Sequence, residues 1–173
     1  MRFVSVVMAL SLALALQTTL VATLVGSGAP IDLVLVVVIA VALFGGPVAG
    51  LWSGTVGGLL QDALSGGVLG VGGLAKTLVG YCVGQFATHF MVARPWDQLL
   101  VFFFGSVIHS GCFIGVDSLL SDGGTLTSYR SVVVQATANA VLGIGVAGGL
   151  QMAPGVIARR RLRRRWRTGR LSE

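Results

Sequence analysis

The chain has 173 residues, of which 54% are hydrophobic and only 10% charged, and it contains 26 glycines. Soluble domains average roughly 25% charged residues and about 7% glycine. The polar inventory is therefore too small to solvate a globular surface, and a polytopic helical membrane protein is the class that fits. Continuously apolar runs without period-two alternation argue against an outer-membrane barrel. The net charge of +6 is not a nucleic-acid footprint, because eight of the twelve basic residues lie between Arg159 and Arg170.

At about 20 residues per span, the length allows five or six helices and no separate soluble domain. The expected organisation is one transmembrane bundle over residues 1–157 and an arginine-rich cytoplasmic tail over 158–173. Cys82 and Cys112 both fall within apolar runs, so they read as small buried hydrophobes and not as a disulfide.

Arg2 precedes an apolar run from Phe3 to about Val25. A charged start before a hydrophobic region and Ala13-Leu14-Ala15 has the outline of a secretory signal. The run continues well past Ala15, however, and predicts an uncleaved first helix. Gly26 to Pro30 form a turn. The second helix extends from near Ile31-Asp32 to Phe44 and stops at Gly45-Gly46-Pro47. Its 14 residues cover only about 21 Å of a roughly 30 Å hydrocarbon core. It must borrow flanking residues, thin the bilayer or pack against protein. Asp32 falls in the first turn, where a carboxylate favours the helix dipole.

The third helix, about Val48 to Leu64, is the stretch around which the chain is organised. Gly46, Gly50, Gly54 and Gly58 recur every fourth residue, which places them on one helix face as a groove for another backbone. Asp62 stands alone near its end, and the paired glycines Gly66 and Gly67 supply the stop signal. The residues through Gly73 read as loop or re-entrant. The fourth helix covers about Leu74 to Val92, with Lys76, Gly80 and Gly84 on one row. These glycine rows are candidates for helix packing or a partner interface, and such rows also permit a homodimer.

Ala93 to Asp97 make a short polar turn with an interfacial Trp96. The fifth helix runs from about Gln98 to Val116 and carries His109, Ser106 and Ser110. Asp117 to Arg130 form the longest hydrophilic loop. The sixth helix covers about Ser131 to Ile157, with Gln135, Asn139, Gly143 and Ala147 as a small polar row that should face protein. The tail includes Arg159, Arg160, Arg161, Arg163, Arg164 and Arg165. It must be cytoplasmic by the positive-inside rule. Six spans then put the amino terminus inside, and ten of the twelve basic residues with it; a five-span arrangement would send Arg2 outside.

The signals for chemistry are sparse. Gly70 to Thr77 echo a phosphate-binding loop, but Ala75 replaces its second glycine and no strand precedes it, so an ordinary glycine-rich connection is expected. Asp62 and Lys76 are opposite charges near the same ends of neighbouring helices, and a structural pair between them is the expectation. One membrane-embedded histidine supplies one metal ligand, so His109 is expected to hydrogen-bond to Gln135 or Asn139. No catalytic set, metal site or cofactor fingerprint emerges, and the chain reads as a non-enzyme. The basic tail suits topogenesis and anionic lipid, without nucleic acid.

Asp32 heading helix two, the glycine-rich third helix ending Gly58-Leu59-Leu60-Gln61-Asp62, then Leu69-Gly70 and Gly80-Tyr81, resemble the bacterial rod shape-determining protein MreD family. The resemblance is most specific over about Pro30 to Phe86. It implies a non-enzymatic scaffold of the cell-elongation machinery (the elongasome) in the bacterial inner membrane, supporting lateral-wall peptidoglycan synthesis and cell shape. The implied partners are a MreC-like membrane protein, through it the elongation transpeptidase and glycosyltransferase, and MreB filaments on the cytoplasmic side. The family is also similar in helical layout to the substrate-capture subunits of energy-coupling-factor vitamin transporters, which supplies a second functional expectation.

Overall fold

The computed structural model describes residues 3–21, 31–66, 68–92, 94–120 and 129–152. Among these the chain is helical, without strands. Helix α1 (Phe3–Leu16) continues as a π-helical turn over Gln17–Val21, followed by α2 (Leu33–Gly45), α3 (Pro47–Ser65), α4 (Val71–His89), α5 (Pro95–Leu120) and α6 (Tyr129–Met152). The expected arginine tail and the 157/158 boundary lie outside the described residues.

Helix α2 is the axis of the bundle. Its sequence, LVLVVVIAVALFG, is apolar on every side, and a helix of that kind must be buried all round. Val34, Leu35, Val36 and Val38 to Ala42 are all buried, with α1, α3, α4, α5 and α6 packed around them. This answers the length problem posed by the sequence. A helix of 13 residues, about 20 Å long, need not match the bilayer when its surroundings are protein. Leu35, Val36, Ile39, Ala40 and Ala42 form a core with Val79 and Val83 of α4, Phe102 of α5, and Ala140 and Ala147 of α6. On the other side, Val34 and Val38 pack against Leu10, Ala13 and Leu14 of α1.

The turn from α2 to α3 is a single residue. Gly46 has φ 93°, the left-handed region, and its N–H donates to the Ala42 carbonyl at 2.9 Å, closing α2. Pro47 then occupies the first turn of α3, where its missing N–H costs nothing. Gly46 therefore makes the turn, and its backbone also lies against Gly84 at the end of the packing row on which its spacing places it.

Helices α3 and α4 run antiparallel with their backbones in close contact. A Cβ placed at Gly50 would run into the Gly80 carbonyl, and one at Gly80 into the Gly50 carbonyl. Gly54 abuts the Lys76 carbonyl, Gly58 lies against Gly73 Cα, and Gly84 meets Pro47. The paired numbers sum to 130 or 131 throughout, the register of an antiparallel zipper. Thr55 and Thr77 hydroxyls, 2.9 Å apart, hydrogen-bond across the same seam. The groove predicted on α3 is thus filled by the row on α4.

Several boundaries differ from the sequence reading. Helix α4 starts at Val71, earlier than Leu74, because Asp62 caps it from a distance. Helix α5 extends through Leu120, taking in Asp117, and α6 begins at Tyr129, which shortens the hydrophilic connection from both ends. The first helix changes to π geometry at Gln17, where Thr18 and Thr19 hydroxyls donate back to Leu14 (3.0 Å) and Ala15 (2.6 Å) carbonyls. Among the described residues, two helical segments are long and apolar enough to cross a membrane, Pro95–Val116 and Tyr129–Leu150. The periphery of the bundle is apolar: Met8, Trp52, Leu64, Leu78, Phe104 and Val141 are all exposed. Cys82 is exposed on α4 and Cys112 half-buried, both free, so the expectation of two buried thiols fails at Cys82.

Candidate functional site

The polar interior is assembled where α2 begins. Asp32 is the N-cap of α2, its Oδ1 accepting the Leu35 N–H at 2.9 Å. That bond supplies one of the partners a helix N-terminus lacks. Because α2 is central, its cap is central too, and Asp32 retains only 4% exposure. A carboxylate in such a place needs a counter-charge. Lys76, in the second turn of α4 and 2% exposed, provides it: its Nζ lies 2.8 Å from Asp32 Oδ2. The same ammonium lies 3.2 Å from His109 Nε2 on α5.

Helix α6 joins from the fourth side. Asn139, fully buried, accepts the Asp32 backbone N–H on its Oδ1 at 3.0 Å and donates from Nδ2 to Ser106 Oγ at 3.2 Å. Nearby, Ser110 Oγ donates to Gln135 Oε1 at 3.1 Å. From the α1 side, Gln17 donates to the Ile31 carbonyl and accepts from the Leu33 N–H, each at 2.8 Å. Four other helices thus converge on the first turn of α2. Asn139 is ten residues into α6, so α2 begins about 15 Å along that helix from its start. The charge pair is accordingly sunk within the bundle and not at its rim.

Asp62 does different work. Its Oδ2 accepts the N–H groups of Gly70 (2.9 Å) and Gly73 (3.0 Å). Gly70 has φ 100° and, lacking a side chain, cannot cap α4 itself. The carboxylate of α3 therefore takes over the anion position at the α4 N-terminus. Gly72 allows this approach, since a Cβ there would strike Asp62 Oδ1. The same contacts dispose of the phosphate-loop echo: two of its N–H groups already hold a carboxylate, and its lysine points to Asp32.

Two expected pairings are corrected by this geometry. Asp62 does not pair with Lys76, because it is committed to the α4 cap while Lys76 turns inward to Asp32. His109 bonds to neither Gln135 nor Asn139; those amides are taken by Ser110, and by Ser106 and the Asp32 backbone. Sequence reasoning also missed the role of Gln17. A usable signal for the ion pair did exist. A short helix apolar on every face must be buried, so its cap carboxylate must be buried as well. Lys76 is the one basic residue inside an apolar helical run. His89 is exposed and its Nδ1 lies 2.9 Å from the Gln85 carbonyl of its own helix.

Chemically, the arrangement holds helices together. Every charge among Asp32, Asp62 and Lys76 is engaged by another element of the same bundle, and so are the α3 and α4 glycines. A family model described as rod shape-determining protein MreD matches residues 1–150, which includes all of these positions. No curated protein and no solved structure matches the chain. The chain belongs to the MreD family, membrane proteins that act in rod shape determination and are not an enzyme family.

Proposed function

We propose that this protein is a non-enzymatic scaffold of the cell-elongation machinery in the bacterial inner membrane. It binds a MreC-like partner and thereby supports lateral-wall peptidoglycan synthesis by the elongation transpeptidase and glycosyltransferase, with MreB filaments on the cytoplasmic face. The observation that carries this reading is the MreD match across 150 residues. The geometry supports it from a second direction. The charges are consumed in fixing the helices against one another, as a docking platform needs.

In this reading the chain crosses the membrane six times with both termini in the cytoplasm. The basic tail supports that orientation and gains roughly 1 kcal/mol per charge from an anionic leaflet. Helices α3 and α4 carry glycines and buried charges on faces that meet protein, while their outer faces carry Trp52, Leu64 and Leu78 toward lipid. With the α3 groove filled by α4, the partner helix seats on an outer face of the bundle.

The test is a mild-detergent pull-down from the native bacterium with mass spectrometry of the co-purified membrane proteins. Recovery of a MreC-like protein with wall-synthesis enzymes is the expected result. Recovery of paired ATPases with a transmembrane coupling subunit would overturn the scaffold reading.

A further inference from the structure

His109 carries the unsolved problem of the buried cluster. It is 5% exposed, and its Nδ1 has no hydrogen-bonding partner among the described residues. The state of that nitrogen follows from the other one. An ammonium has three donors and no acceptor, so at the 3.2 Å contact with Lys76 Nζ the His109 Nε2 must accept. The ring is then neutral with its proton on Nδ1. This leaves a donor buried inside a membrane protein, where no lipid group can satisfy it. Buried orphan donors of this kind are commonly met by one ordered water that finds two or more polar partners.

Ser106 is the second partner. It lies three residues before His109, hence on the same face of α5, and it is fully buried. Its hydroxyl oxygen has two acceptor sites, of which Asn139 Nδ2 uses one. We infer that a single water molecule is bound between His109 Nδ1 and Ser106 Oγ, accepting from the imidazole and donating to the hydroxyl. It closes a ring that runs from the Asp32 carboxylate through Lys76, His109, the water, Ser106 and Asn139 back to the Asp32 backbone N–H. Four helices are joined by that ring. Each link has a donor facing an acceptor: Lys76 donates to Asp32 and to His109, Asn139 donates to Ser106, and the Asp32 N–H donates to Asn139.

The chain has only two histidines, which makes a direct test practical. Exposed His89 is replaced (His89→Gln), and the full-length protein is labelled with 15N-histidine and placed in lipid nanodiscs. Nuclear magnetic resonance then reports His109 alone. The expected result is a neutral ring protonated on Nδ1, with magnetisation transfer from water to that proton. A proton on Nε2, an imidazolium, or an Nδ1 proton without transfer from water would each overturn the inference. Ser106→Ala in the same background should abolish the water transfer while leaving the tautomer unchanged, because Lys76 still sets it. Undiminished transfer in that variant would refute the bridge to Ser106.

Discussion

Replacing Lys76 by methionine tests the buried pair most sharply. Methionine keeps most of the stem's volume while removing the ammonium, so packing against α2 and α5 is little disturbed. What remains is Asp32 at 4% exposure with the Leu35 N–H on one oxygen and no counter-charge on the other, and a His109 Nε2 that has lost its donor. Breaking one side of a buried pair destabilises by about 3–5 kcal/mol. For a chain of this size, 1 kcal/mol corresponds to roughly 2–4 °C in Tm, so Lys76→Met should lower Tm by about 6–20 °C. Asp32→Asn alone should do comparable harm, because asparagine is still a good N-cap but strands the lysine. The double variant Asp32→Asn, Lys76→Met removes both charges and keeps the cap, and it should recover most of the loss, since replacing a buried pair entirely is often near neutral. The assay is thermal unfolding of the purified protein in detergent by intrinsic fluorescence. A double variant whose loss equals the sum of the single losses would refute the pairing argument, as would a Lys76→Met protein with unchanged Tm.

The glycine seam gives a contrast within one molecule. Gly54→Ala drives a Cβ into the Lys76 carbonyl, backbone that cannot give way, and overpacking of this kind costs about 1–3 kcal/mol; Gly149→Ala meets nothing within 4 Å and should match or exceed wild-type stability in the same melt. Gly143→Ala collides with the Phe102 ring, and the paired change Phe102→Leu should relieve part of the damage, readable as non-additivity in a double-mutant cycle. Asp62→Ala removes the cap of α4 and should lower stability by roughly 0.5–2 kcal/mol, with faster amide exchange at Gly70 and Gly73; if those amides keep their protection, the capping assignment is wrong.

How much of this was legible in the sequence depends on the range of the interaction. Helix existence, the glycine seam and the buried character of the α6 row follow from spacing along one helix, and local patterns carry that information. The pairing of charges does not, because it depends on which helix becomes central. Asp62 and Lys76 are close in sequence and opposite in sign, yet the α4 N-terminus competes for the carboxylate with two N–H groups, while Asp32 reaches Lys76 from 44 residues away. Gln17 was invisible for the same reason: its partners at Ile31 and Leu33 belong to the start of a different helix. Gly46 does lie against Gly84 as its spacing implies, but four-residue spacing cannot distinguish a helical glycine from one with positive φ that ends the helix before it.

The central claim is that the buried charges build a scaffold and perform no chemistry of their own. The most direct measurement is cell shape after the chromosomal copy in the native bacterium is replaced by the Asp32→Asn, Lys76→Met double variant, with protein abundance followed in parallel. Cells that remain rods at normal abundance are the expected result. Rounded cells containing normal amounts of the folded double variant would contradict the account, because the charges would then be needed for something other than holding the helices together.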